Sequence, residues 1–326
     1  MIQVRYHPGM VVAVSWDHDH RLPEAPHAAV GDEEFVAAAG RAGRSLPPAV
    51  FDALVELQDA PPRDGALLVR GVPVGELPAT PAQPTDPVDK DGTSEMALLT
   101  IARRLGQPVG YLPEHGGDLV QNLVPTRAGA DRQVSTSSRV DLEFHTETAF
   151  HPYAPRYLVL LCLRGHADAQ TTLCSVHDVL DALDDETVEV LRQDRFVCGV
   201  DESFRSGRGD GQLLTATREH GPRAVIGGTP ERPTFWYDAE LMRGTDPRAQ
   251  AALDQLGRAV ADRQTSVVLE AGDCLVVDNT VAVHGRSSYV ARFDGTDRWL
   301  QRAFVVSDLA PSAADRDGRI IRTLFT

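Results

Sequence analysis

The chain predicts an α+β fold with a mainly β core and flanking helices, and three observations predict it. From residue 118 onward, short segments rich in Val, Leu and aromatics recur between Gly, Pro, Asp or Asn. Before that point, apolar residues recur at helical spacing around one clear strand. No internal repeat or linker divides the chain, and many short strands favour a sandwich or barrel over a doubly wound parallel sheet.

Taken in order, "DEEFVAAAGRA" and "PPAVFDALVELQDA" carry apolar residues at helical spacing, and the second opens on prolines suited to a first turn. "GALLVRGVPV" reads as a buried strand. Residues 73–93 hold five prolines and two glycines without periodicity, which predicts a surface loop. "SEMALLTIARRLG" is a helix ending at Gly106, with Ser94 as its expected N-cap. The strands then expected are "DLVQNLVP", "VDLEFHTE", "RYLVLLCLR", "TTLCSV", "RAVIGG", "TSVVLEAGDCLVVDN" and "RWLQRAFVV". Two helices interrupt them, "VHDVLDALDDETVEVLRQ" and "DPRAQAALDQLGRAVADRQ". The expected organisation is one domain: a mainly helical flank over 1–110, a β core over 111–309 and a tail over 310–326.

At 326 residues the chain can bury a full core, and 42% hydrophobic with 24% charged residues is ordinary for a globular protein. A formal charge of −15 with no basic stripe argues against a nucleic-acid partner. No apolar run is long enough for a membrane span. The N-terminus lacks a basic region before its apolar run and a cleavage site after it, so a cytoplasmic location is expected. Cys162, Cys174, Cys198 and Cys274 form no CxxC pair and are expected to be buried free thiols.

The chemistry concentrates in "FHTETAFH", residues 144–151. In a strand, His145 and Glu147 would point to one face; the bland alternative is a solvated strand end. "AGDCLVVDNTVAVHGR" supplies His284 after a turn at Asp278-Asn279, and Arg298 follows 14 residues later. A buried strand arginine calls for a carboxylate partner. Two histidines and one carboxylate on an octahedral ion leave three positions open, the arrangement of non-haem Fe(II) oxygenases.

On these residues the sequence resembles the Fe(II)/2-oxoglutarate-dependent oxygenases, in particular the clavaminate synthase-like branch that hydroxylates amino acids. "VDLEFHTETAFHPYAPRYLVLLCLRG", "AGDCLVVDNTVAVHGR" and the His284-to-Arg298 spacing match in order and distance, over roughly residues 95–306. Glutamate rather than aspartate at the second ligand position is typical of this branch. The resemblance implies a double-stranded β-helix (jelly-roll, cupin-like) core. It implies that His145, Glu147 and His284 bind Fe(II) and that Arg298 holds the distal carboxylate of 2-oxoglutarate. Thr172 matches the hydroxyl that shares this carboxylate, with Thr171 leaving the register open by one.

For the substrate, the resemblance offers Arg302 for a carboxylate and Gln121 for an amine. It offers Asp238 for a polar side-chain end. Arg302 could instead form a structural ion pair, and Asp238 could cap "AELM". Arginine hydroxylases of the group tend to carry a second acid where this chain has Trp236. The implied reaction consumes O2 and 2-oxoglutarate, releases succinate and CO2, and hydroxylates a small molecule. A carrier-bound or cyclic-dipeptide substrate, desaturation and cyclisation stay open, as does a non-catalytic metal-binding protein. The glycine-rich segment 200–222 reads as a lid or a loop without order. His151 reads as structural or pocket-lining, and "DHDH" at 17–20 receives no role.

Overall fold

The computed structural model describes residues 11–201, 204 and 220–323. Its N-terminal part runs β1 (Val12–Ser15), α1 (Glu33–Ala42), α2 (Pro48–Asp59), β2 (Ala66–Arg70), α3 (Thr93–Leu105) and β3 (Gln107–Tyr111). There follow β4 (Gln121–Leu123), β5 (Leu142–His145), β6 (Tyr157–Arg164) and β7 (Gln170–Ser175). Next come α4 (Val176–Leu180), α5 (Asp185–Leu191), β8 (Phe196–Cys198), β9 (His220–Arg223), β10 (Ile226–Gly228), β11 (Pro233–Phe235) and β12 (Met242–Gly244). The chain closes with α6 (Pro247–Arg263), β13 (Thr265–Val268), β14 (Cys274–Asp278), β15 (Ala282–Arg286), β16 (Trp299–Val306), β17 (Arg316–Asp317) and β18 (Ile320–Ile321).

Two sheets frame the site. A nine-stranded sheet has the order β1-β2-β14-β6-β16-β3-β18-β17, with β4 also paired to β16; a four-stranded sheet has the order β13-β7-β15-β5. The period of two along β16 divides its side chains between two cores. Leu300, Phe304 and Val306 join the core shared with the small sheet, while Trp299, Ala303 and Val305 join the core under the helices. The same alternation runs through β6, with Leu158, Leu160 and Cys162 inside and Tyr157, Val159 and Leu161 outside. Each Val, Leu or Phe among them taken fully out of water stabilises by roughly 1.5–3 kcal/mol.

The helices α1 to α3 cover the outer face through Phe35, Val50, Leu54, Met96 and Ile101, as the sequence predicts. The flank is not purely helical, however. It supplies β1, β2 and β3 to the large sheet, and the tail adds β18 alongside β3. Three other expectations need correction. Helix α3 starts at Thr93 with Gly92 as its N-cap at φ 75, and the Ser94 hydroxyl donates to Glu95 instead. The predicted helix over 176–193 is two, because the Asp184 carboxylate accepts the Thr187 N–H at 2.7 Å and starts α5 afresh. The predicted strand over 265–279 is also two; a turn with Gly272 at φ 86 sends β13 and β14 to different sheets. No helix among the described residues is long and apolar enough to cross a membrane. The four cysteines are free and buried.

Candidate metal centre

His145 and His284 are direct cross-strand partners at the end of β5 and the middle of β15, and their rings lie 4.4 Å apart. Gly285 permits this approach. A Cβ there would stand 2.5 Å from the Leu142 carbonyl oxygen on β5. The His145 Nδ1 lies 2.8 Å from the Glu143 carbonyl, which can only accept, so the partner favours the tautomer with Nδ1–H donating and the Nε2 lone pair free for a metal.

Glu147 does not sit in the strand. β5 ends at His145, and the chain turns through Thr148 at φ 49. What aims the carboxylate is Asn279 of the Asp278-Asn279 turn. Its Oδ1 accepts the Glu147 N–H at 2.7 Å, and its Nδ2 donates to the Glu147 carbonyl at 3.1 Å and the Pro155 carbonyl at 2.9 Å. The result is the geometry expected of an i, i+2 pair, reached by a turn. Donor atoms of His145, Glu147 and His284 lie within 4.8 Å of one another, forming the sole such group among the described residues.

The donor set fits an iron site. Burial alone would raise the Glu147 carboxyl, but Arg302 and the two histidines hold it down at about 2. Burial, reinforced by His145, pushes His284 down to about 4. At neutral pH Glu147 is therefore an anion and His284 a neutral imidazole, the forms that ligate. With no thiolate near and an open side toward a cavity of about 390 Å³, the set matches a three-ligand oxygen-and-nitrogen site.

Arg298 and Arg286 line one end of this cavity. Arg298, 6% exposed, has no carboxylate partner among the described residues; it bonds to Tyr289. Burial and then the neighbouring Arg298 pull Arg286 down to about 10. Here Thr172 is corrected. In the β7–β15 register Leu173 faces His284 and Thr171 faces Arg286, so Thr172 belongs to the opposite face, beside Gly285. Thr171 lines the cavity, and its buried Oγ1 has no hydrogen-bond partner.

Arg302 shares the inner face of β16. Its guanidinium reaches the Gln121 Oε1 from Nε at 3.1 Å and from Nη2 at 2.6 Å, the Glu114 carboxylate, and the Glu147 Oε2 at 3.5 Å. Gln121 is therefore spent on holding Arg302 and does not line the cavity, contrary to the expectation of a substrate contact. Glu114 does line it. Burial raises its carboxyl to about 7 against the pull of Arg302, and its buried Oε2 has no hydrogen-bond partner. Sequence reasoning missed Glu114 because "YLPEHGG" has no periodicity and its partner is 188 residues away.

Asp238 caps the turn that follows it, as the alternative reading expects, and it also faces the cavity. It lines the cavity beside His145, and its Oδ1 accepts the N–H groups of Glu240 at 3.0 Å and Leu241 at 2.7 Å. Trp236 faces away and donates to the Ala149 carbonyl at 2.6 Å. His151 is no ligand; its Nδ1 accepts the Tyr153 N–H at 2.9 Å and its ring packs on Tyr111. Of the expected lid, residues 202–203 and 205–219 lie outside the described residues, while Asp201 and Phe204 line the cavity.

Comparisons with known proteins agree with this geometry. The L-lysine 3-hydroxylase of Catenulispora acidiphila is 34% identical over 303 residues, covering 92% of this chain and 84% of the relative. A crystal structure of asparagine oxygenase with Fe(II), 3-hydroxyasparagine and succinate superposes with a TM-score of 0.86 at 33% identity, over 95% of this chain and 99% of that one. The non-haem iron oxygenase OrfP, solved with Fe and alpha-ketoglutaric acid, gives 0.80 at 30% identity, over 90% and 92%. The model of the taurine catabolism dioxygenase TauD, TfdA family matches residues 37–304. The chain belongs to that family, and it is an iron- and 2-oxoglutarate-dependent dioxygenase.

Proposed function

We propose that the chain hydroxylates an unactivated C–H bond of a free L-amino acid, or a metabolite derived from one, in specialised metabolism. The observation that carries this reading is one cavity lined together by the three donors, Arg298 with Thr171, and Arg302 with Glu114. His145, Glu147 and His284 would hold Fe(II). Arg298 and the Thr171 hydroxyl would take the distal carboxylate of 2-oxoglutarate. Bound iron and cosubstrate supply the oxidising power for C–H cleavage, with release of succinate and CO2.

The protein's part is placement. Arg302 is ion-paired with Glu114 and Glu147 and steadied by Gln121, and would extend its remaining Nη1–H to a substrate carboxylate, while the Glu114 oxygen without a hydrogen-bond partner would take an ammonium. An amino acid carries both groups on one carbon. The relatives support the reading, since they are named for lysine and asparagine. We further read the two sheets as a double-stranded β-helix and the chain as a single oxygenase domain. The four cysteines, free and buried, favour the cytoplasm.

The test is succinate release by protein loaded with Fe(II) and 2-oxoglutarate, across a panel of L-amino acids. At least one should raise the rate well above the substrate-free rate, and Glu147→Ala should abolish the rise. A panel without any stimulation overturns the reading.

A further inference from the structure

We propose that Arg286 and Tyr289 are positioning residues through which a bound cosubstrate tightens the cavity wall over 126–141. This rests on the 2-oxoglutarate site assigned above to Arg298 and adds a coupling to it. The segment lies between β4 and β5 and lines the cavity with Thr126, Gly129, Arg132, Val134 and Thr136. It is folded on itself. The Thr126 N–H donates to the Thr136 carbonyl at 3.0 Å, and the Ser138 and Arg139 N–H groups donate to the Ala130 carbonyl at 3.2 and 2.9 Å. A Cβ on Gly129 would stand 2.4 Å from the Thr136 Oγ1, so the two arms meet. Such a unit shifts as one piece, and its attachment at 137–141 fixes its place.

That attachment is to the end of β15 and the residues after it. The Arg286 Nη2 donates to the Ser137 Oγ at 2.8 Å and to the Val140 carbonyl at 3.2 Å. The Tyr289 N–H donates to the Ser138 carbonyl at 2.7 Å, and the Ser288 N–H to the Asp141 Oδ1 at 2.6 Å. Ser137 and Ser138 are fully buried, so water does not compete for these bonds.

The same two residues reach the cosubstrate end. Arg286 and Arg298 both line the cavity. The Tyr289 side chain is hydrogen-bonded to Arg298, and its ring lies 5.3 Å from the Arg286 guanidinium. Neither arginine makes an ion pair among the described residues, and the oxygens that Arg286 bonds, on Ser137, Val140 and Ser287, are neutral. Asp141, whose charge also reaches Arg286, keeps its Oδ1 on the Ser288 N–H. Two buried cations around one ring thus hold the wall while repelling each other. A carboxylate taken by Arg298 supplies the charge both lack, and the bonds from Arg286 to the wall strengthen. By reciprocity, the tethered wall favours cosubstrate binding to the same degree.

The experiment follows backbone hydrogen–deuterium exchange in the Fe(II) protein without oxygen, with and without saturating 2-oxoglutarate, whose visible absorption reports its binding. The amides of Thr126, Ser138, Arg139 and Tyr289 should exchange about 5-fold more slowly, or slower still, with cosubstrate bound. Those of α6 should not change. Arg286→Gln removes the charge, and the slowing should shrink to within about twofold. An arginine that only holds the fold would speed exchange equally in both states and leave the ratio intact. Ser137 does not line the cavity; Ser137→Ala cuts one tether and should raise the Kd of 2-oxoglutarate about 3-fold or more. Exchange that ignores bound cosubstrate, a ratio kept in Arg286→Gln, or an unchanged Kd in Ser137→Ala overturns the coupling and leaves the hydroxylase reading standing. No 2-oxoglutarate absorption in the Fe(II) protein overturns both.

Discussion

Asn279 shows how much of a metal site can rest on a residue that would never touch the metal. Its side-chain amide makes three buried hydrogen bonds, two of them to the backbone of Glu147. Asn279→Ala leaves those groups unpaired at about 1–3 kcal/mol each and frees the turn that aims the carboxylate. Fe(II) affinity should fall by about 10–100-fold, as an anaerobic metal titration would read; unchanged affinity would show that the turn holds without its clamp. The two adjacent threonines make a sharper pair. Thr171→Val should raise KM for 2-oxoglutarate several-fold, whereas Thr172→Val, on the far face, should leave it within about twofold. At this scale the sequence was most legible where residue types are chemically rare in combination. His145, Glu147, His284 and Arg298 stand out together, through the family resemblance that their order and distance carry, and not by the His-x-Glu spacing alone. Glu114 and Asn279 do not, because a turn glutamate and an Asx residue after a strand have ordinary local explanations.

Between elements, the decisive contact is that of β5 with β15. These two strands bring His145 to His284, and Gly285 lets them meet, with space for a Cβ closed by the Leu142 carbonyl at 2.5 Å and the Thr172 hydroxyl at 3.0 Å. Gly285→Ala has to push β5 outward. We expect a lower melting temperature together with weaker Fe(II) binding, measured by calorimetry and metal titration on the same preparation. A variant that loses neither would mean β5 yields without moving His145. The elements were legible in outline and misjudged at their breaks. The polar breaks at 184–187 and 270–273 are short against the apolar runs on either side, so 176–193 and 265–279 each looked continuous. What divides them is a carboxylate capping its own next turn and a glycine at positive φ. Strands β1 and β3 went unseen because each is four or five residues long and borrows its stability from neighbours in the large sheet.

Over the whole molecule, the large sheet separates two cores with different duties. The inner one surrounds the cavity; the outer one binds α1, α2 and α3 to the sheet. Leu54 on α2 is fully buried in the outer core. Leu54→Ala should cost about 2–5 kcal/mol of stability and leave KM for 2-oxoglutarate unchanged in the protein that remains folded. A changed KM at low temperature would show that the outer layer sets the site's shape. That helices flank sheets built from many strands followed from the run of short apolar segments after residue 118. The sheet's true width did not, since its edge strands come from the first 70 and last 11 residues of the chain.

The central strand β16 has one more implication, for how such an enzyme can diverge. Arg302 lies on this strand and Arg298 immediately precedes it, four positions apart on its inner face, while Trp299 and Gln301 on the outer face bond to Asn122 and Glu95. The two guanidiniums we propose as carboxylate anchors therefore travel together. No single substitution can lengthen the gap between cosubstrate and substrate without unseating a strand bonded on both sides. If those roles hold, new substrates are accommodated more readily in the cavity-lining segment over 126–136, between β4 and β5, than in 237–241, which is bonded along the end of β5 beside His145. Descent with altered specificity is then channelled to the former stretch, while the two arginines stay as they are.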